Sequence, residues 1–348
     1  MLKKTNKAAV VAADGRTTSY SKVGSLMQAL GVYAIAVLFI ALGALLQATG
    51  VIRGFLTLQK ALNIFDAVSL LGIIAVGMTF VTYSGHFADM SVPTTMALSG
   101  IVCVDMLKFG FIPGILSAFA VGLIVGVINA LAIGKLKTNP VIWTLAMNYV
   151  SLGVIRVVWV NKQIYPDFTA NSELTSHLFD QIYRLRFFNK ISLPMILMVV
   201  LAVVFSFVLS KTKFGLQLKM TGSARNAAKY SGVNVEKVIG IGFIICSLTA
   251  ALGGLVITSL SRVGAYYNGE GYDFKAVTAV VIGGMTLAGG RGTIAGVIGG
   301  VFIIGIMNNI MTLLGIGTFS QDMVRGVIFI IVVVVNAVSL RSTGRDDA

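Results

Sequence analysis

Apolar residues run along this chain in long unbroken stretches, without the period-two alternation of half-buried strands. Ten such stretches stand out: 31–50, 64–84, 91–108, 112–134, 140–160, 193–210, 237–260, 274–288, 293–315 and 321–340. A helix crossing the hydrocarbon core of a bilayer needs about 20 predominantly apolar residues. The pattern therefore predicts an all-α polytopic membrane protein with about ten transmembrane helices. The stretch 274–288 is short and contains Gly283 and Gly284, which predicts a broken or partial helix. Pro113, Pro140 and Pro194 lie near predicted helix starts, and Pro93 in the first turn of the third, where a missing N–H costs least.

Composition supports the same class. Hydrophobic residues make up 56% of the 348 and charged residues 11%, against about 25% charged in an average soluble domain. Mean hydropathy is +0.90. These values exclude an ordinary soluble enzyme, a disordered chain and a disulfide scaffold. Cys103 and Cys246 lie inside apolar runs and read as reduced packing residues, not as a disulfide or metal ligands. Residues 1–29 are polar, and the first apolar run starts too late and lasts too long for a secretory leader. The expected organisation is a cytoplasmic tail (1–29), one transmembrane domain (30–340) and a second cytoplasmic tail (341–348).

The net charge of +14 comes from lysines and arginines gathered in short connections between apolar runs. That placement points to topology and anionic lipid headgroups, not to nucleic acid. With the N-terminus inside, sixteen basic residues fall on the inner side and eight on the outer, and three lie within or at the ends of spans. Both termini are accordingly expected in the cytoplasm. Two connections are long: an outer one at 161–192 and a basic inner one at 211–236.

Motifs for chemistry are sparse. There is no phosphate-binding loop; Gly134-Lys135 is followed by Leu136. There is no zinc-protease motif, no nucleophile elbow, and only two histidines, His86 and His177. No catalytic or metal-binding residue is assigned, and the chain is not expected to be an enzyme. No convincing carboxylate lies near the middle of a span, as an ion-coupled transporter would need. Arg156 and Arg325 lie deeper, where they either snorkel and pair locally or meet a substrate. Gly292, Gly296 and Gly300, like Gly122 and Gly126, recur at spacing four, which suits close helix approach within the chain or between subunits. The run Gly283–Thr293 is so rich in glycine that it reads either as a tight cytoplasmic turn or as a backbone break lining a pathway. In the inner connection, Ser223 could cap a short helix from Ala224 to about Tyr230, with Gly232 stopping it. Its small face at Ala224, Ala227 and Ala228, with basic flanks, suits either docking onto another protein or a solvated linker.

At this loop a family resemblance emerges. The order Thr221-Gly222, Asn226-Ala227-Ala228, Gly232-Val233 resembles the cytoplasmic coupling segment of ABC importer permeases for ribose- and galactose-type sugars. The stretch Ala276–Gly284, continuing through Gly289-Gly290-Arg291-Gly292-Thr293, is similar to that family's glycine signature, and Leu71–Val81 matches as well. One segment departs from the family. Gly85-His86-Phe87-Ala88-Asp89-Met90-Ser91-Val92-Pro93 keeps Asp89, Ser91 and Val92 but differs at His86, Ala88, Met90 and Pro93. His86 there is either a polar contact beside Asp89 or a plain loop histidine.

The resemblance implies a permease subunit in the bacterial cytoplasmic (inner) membrane, moving a small polar solute, most simply a monosaccharide, by alternating access. It implies a second permease subunit, a cytoplasmic ABC ATPase that uses ATP and Mg, and an extracytoplasmic solute-binding protein; this chain itself would hold no cofactor. The expected ATPase-coupling residues are Gly222, Arg225, Asn226, Ala227, Ala228 and Gly232, with Arg225 and Asn226 in direct contact. A neutral solute needs hydroxyls and amides, so the expected pathway residues are Asp89, Ser91, Thr94, Thr95, Asn129, Asn148, Gly283, Gly284 and Asn308, with Asn309 beside it. The rival readings are a self-sufficient ion-coupled transporter or channel, and an ABC permease for nucleosides or branched-chain amino acids.

Overall fold

The computed structural model describes residues 32–160, 162–167, 173–188 and 190–342. The 1–29 tail lies outside these residues, as does the C-terminal tail from 343 onward. Each of the ten apolar runs holds a helix. In chain order these are α1 (Val32–Ala48), α2 (Leu58–Tyr83), α3 (Val92–Met106), α4 (Phe111–Asn129) and α5 (Pro140–Val158). The outer connection holds α6 (Glu173–Arg184). Then follow α7 (Leu193–Lys211), α8 (Lys213–Ser223), α9 (Arg225–Tyr230), α10 (Val235–Ser261), α11 (Tyr272–Ile282), α12 (Ile294–Leu313) and α13 (Thr318–Ser342). Seven of the described helices are long and apolar enough to cross a membrane: α2, α3, α4, α5, α7, α10 and α12, with α3 and α4 extended by short 3₁₀ and π turns. The chain is a polytopic, all-α membrane protein. The short eighth run is a partial helix, as its length predicted: the 11 residues of α11 span about 16 Å, half of a hydrocarbon core about 30 Å thick.

The centre of the molecule is the pair α2 and α10. Both are apolar on every side, which suits helices enclosed by others. Around them stand α3, α4, α7, α11 and α12. Lipid gives apolar surfaces little reason to associate, so small residues that permit close backbone approach hold these seams together. A methyl at Gly122 would sit 2.6 Å from the Ala251 side chain, and one at Gly300 2.2 Å from the Ala279 carbonyl. The regularly spaced glycines therefore serve packing within the chain, α4 on α10 and α12 on α11. Cys103 and Cys246 are free and buried.

Two connections run back into the bundle. Residues 84–91 leave the end of α2 and turn inward: the Asp89 N–H donates to Met78 Sδ at 3.3 Å, and Met78 in turn touches Cys246. α3 thus begins inside the bundle, not at its edge. Residues 262–271 likewise follow α3 inward, with Gly264 against Ile101 and Gly269 against Pro93, so α11 also starts at depth. Each inturned segment ends where a helix begins.

At one end of the bundle, α6 and a two-stranded antiparallel hairpin (β1, Arg186–Phe187; β2, Ile191–Ser192) form a small cap. The sequence alone reads this stretch as a long connection. Two anchors dock it. Asp66 on α2 accepts from Arg186 at 2.8 Å and from Ser192. Asp180 on α6 accepts two bonds of 2.6 Å from Arg262 and one of 2.9 Å from Arg184. The Arg262 hydrogen bonds, aided by Arg184, hold the Asp180 carboxyl below the usual carboxylate range against the effect of burial.

Candidate functional site

The end of the bundle opposite the cap gathers the connections 84–86, 130–139, 212–236 and 283–293. Its organising feature is a seam of glycines. A methyl at Gly222, near the end of α8, would lie 2.0 Å from the Tyr83 carbonyl oxygen and 2.6 Å from the Gly290 nitrogen. Gly289 and Gly290 have φ of +83° and +71°, a region that favours glycine, and they lie against Gly85 and Ser223. The Gly290 N–H donates to the Tyr83 carbonyl at 2.9 Å. The glycine signature is thus a tight turn clasped between the end of α2 and the end of α8. Gly283 belongs to the same turn, packed on Gly296 and Val297 of α12. Gly283 and Gly284 stand apart from the polar pathway candidates.

The α9 helix hangs from this seam. Ser223 closes α8 and does not cap α9; the cap position is Ala224, in extended conformation with no side-chain bond. The expected stop is present. Gly232 has φ +79°, and the Val233 N–H closes back onto the Ala228 carbonyl at 3.1 Å. Ala228 is 1% exposed and belongs to the main hydrophobic core, so it faces inward and cannot form part of an outward docking face. The outward face consists of Asn226, Ala227, Lys229 and Tyr230, flanked by Arg225. Tyr230 is 92% exposed. Sequence reasoning passed over it as a helix end; the available signal was a lone aromatic in a small, basic segment.

Arg225 reaches back toward the bundle. Its Nη2 donates to His86 Nε2 at 2.9 Å, and His86 Nδ1 lies 2.7 Å from Ser84 Oγ. His86 is therefore a polar contact, but with Arg225 and Ser84, not with Asp89. Burial, with the Arg225 charge adding to it, pushes the imidazole from its ordinary 6.5 down to about 4.

Deeper in the bundle, most of the polar candidates meet. Asn129 on α4 donates to Ser91 Oγ at 3.0 Å and to Asp89 Oδ2 at 3.4 Å, and accepts from Trp143 Nε1 on α5 at 3.1 Å. The Met90 N–H donates to Thr144 Oγ1 at 3.0 Å, and Thr94 donates to Asn148 at 2.8 Å. Thr95 bonds to the Ser91 carbonyl at 2.8 Å. Asp89, Ser91 and Asn129 are fully buried and bonded to one another. Trp143 and Thr144 are members that sequence reading missed, because α5 comes alongside only through tertiary packing. Asn308 and Asn309 on α12 lie elsewhere, each with a buried carbonyl oxygen that has no protein partner. Arg325 pairs with Asp322 at 2.7 Å, and Arg156 lies over the Tyr266 ring, so both deep arginines have local partners. A cavity of about 340 Å³ lies between α7, α8 and the start of α12, with Tyr83, Ser206 and Lys219 in its wall; none of the pathway candidates lines it.

Apolar helices around a tightly packed pair, two inturned segments and a short exposed helix at one end make this a polytopic membrane protein. Comparison with known proteins identifies the group. Residues 60–333 match the family described as branched-chain amino acid transport system / permease component, and the chain belongs to it. It is 35% identical to the ribose import permease protein RbsC of Bacillus subtilis over 284 residues, 81% of this chain and 86% of that protein. It is 30% identical to the L-arabinose ABC transporter permease protein AraH of Azospirillum brasilense over 322 residues, 89% and 88% of the two chains. The RbsC of Escherichia coli K12 is 28% identical over 284 residues, 81% and 87% of the two chains. No solved structure matches the chain. Membership makes this chain the transport subunit of an ABC importer and not an enzyme.

Proposed function

We propose that this chain carries a neutral monosaccharide, a pentose or hexose, across the bacterial cytoplasmic membrane as the permease of an ATP-driven importer. The observation that carries the reading is α9: a six-residue helix standing off the inner face with Tyr230, Lys229 and Asn226 turned outward and Ala228 turned in. Such a helix is shaped to be gripped by a cytoplasmic ATPase, which binds ATP and Mg itself. Movement of α9 is passed through Ala224 to α8 and through Gly222 to the glycine seam. The relatives named for ribose and L-arabinose support a sugar as cargo. So does a buried polar cluster built largely from hydroxyls and amides around Asp89. A second permease subunit completes the pathway, and a solute-binding protein delivers cargo at the outer face. Both termini lie in the cytoplasm.

The test is purification from native membranes in mild detergent, followed by reconstitution with a ribose- or arabinose-binding solute-binding protein. A stoichiometric ATPase whose hydrolysis rises with ribose or L-arabinose is the expected result. Stimulation by leucine or a nucleoside instead would reassign the cargo. Uptake that persists without an ATPase and follows an ion gradient would refute the importer reading.

A further inference from the structure

His86 lies between the two groups of residues described above, and its hydrogen bonds fix its proton. An arginine guanidinium only donates, so His86 Nε2, 2.9 Å from Arg225 Nη2, must be the bare acceptor nitrogen. The Ser84 hydroxyl donates its single proton to the Val81 carbonyl at 2.7 Å. His86 Nδ1 must then carry the ring proton and donate it to Ser84 Oγ. The result is one directional chain: guanidinium of α9, imidazole, hydroxyl, and the last turn of α2. The ring is only 8% exposed and meets Phe243 of α10 edge-on, with ring centroids 5.8 Å apart. Three residues further on, the same backbone segment carries Asp89 and Ser91 into the buried cluster with Asn129, and its Met90 N–H bonds Thr144 of α5. His86 is also one of the positions at which this segment departs from the family pattern.

We propose that His86 is a positioning residue that links α9 to the inturned segment 84–91, so that displacement of the coupling helix is transmitted directly to the polar cluster at the start of α3. This deepens the importer reading and rests on it for its consequence in transport, but the link itself is a property of this chain alone. It offers a second route from the coupling helix, parallel to the glycine seam. The seam passes motion by backbone contact, whereas the Arg225–His86 bond passes it through side chains.

Two measurements test it. In the purified permease without partners, amide exchange in 225–230 reads the link directly. His86→Asn keeps a donor near Ser84 but is too short for Arg225; His86→Gln can reach Arg225 with Oε1. Exchange in α9 should rise at least tenfold in the Asn variant and stay within about threefold of wild type in the Gln variant. Equal exchange in both, or loss of folded protein in both, would overturn the link. In the reconstituted importer, with ribose as probe, His86→Asn should retain the bound ATPase but lose at least tenfold of the solute-stimulated hydrolysis. Arg225→Ala should lose at least as much of the solute-stimulated hydrolysis per bound ATPase, and the double variant should be no worse than Arg225→Ala alone. Losses that multiply would show independent roles and refute the pairing. If the wild-type importer binds no ATPase, the importer reading fails while the exchange result still decides the link.

Discussion

At the residue scale, two neighbours on α9 have opposite fates. Ala228 points into the core and Tyr230 into solvent. In sequence both belong to the same short helix. With Ala228 at 1% exposure, Ala228→Asp buries an unpaired carboxylate. The expected outcome is a loss of several kcal/mol of stability, read as a lower melting temperature and reduced yield in detergent. Tyr230→Ala should leave the melting temperature unchanged, because the side chain touches little of its own protein. It should weaken capture of the ATPase by about tenfold or more, as loss of an aromatic anchor does at protein interfaces. Capture at wild-type strength would remove Tyr230 from the docking surface.

At the element scale, the glycine turn and the cap are held by different physics. The turn depends on backbone touching backbone. Gly222 faces the Tyr83 carbonyl and the Gly290 nitrogen, neither of which can rotate aside. Gly222→Ala is therefore expected to cost about 1–3 kcal/mol through overpacking and to push α8 off the end of α2. Uptake should fall steeply even where the protein still reaches the membrane. The cap depends on charge. Asp180 is buried and held by two arginines that are about half exposed, so solvent screens part of their attraction. Asp180→Asn should cost about 1–3 kcal/mol and make the 161–192 connection easier to cleave by protease. Because the folded protein holds this carboxyl below its usual range, its contribution is complete above the unfolded-state value and is lost as pH falls through the folded-state value. The Asn variant should lack that acid-side loss, which melting curves between neutral and acidic pH would reveal.

At the scale of the whole molecule, the connections separate into two ends, and the basic residues at the α9 end are expected to hold that end in the cytoplasm. Phe188 stands at the tip of the hairpin and Tyr230 at the opposite end, each 92% exposed. Single-cysteine substitutions at these positions should react with a membrane-impermeant maleimide from opposite sides, Phe188→Cys in intact cells and Tyr230→Cys only after permeabilisation. Cys103 and Cys246 are buried and give little background. Labelling of both from one side would overturn the assigned topology.

The apolar pattern by itself determined that the chain is a bundle of membrane helices and where each lies, because a bilayer demands long apolar runs with internally satisfied backbones. It also revealed the partial helix at 274–288 and the glycine stop after Tyr230, since length and glycine conformation are local properties. Only the tertiary structure decided what each polar residue meets. Asp89, Ser91, Thr94, Thr95, Asn129 and Asn148 come together, while Asn308 and the Gly283-Gly284 pair lie elsewhere. Segments 84–91 and 262–271 turn inward, α5 brings Trp143 and Thr144 alongside, and His86 finds Arg225 across 139 positions of sequence. The physical reason is that hydropathy specifies which environment a helix occupies, whereas the direction of a side chain is set by which neighbour packs against its turn.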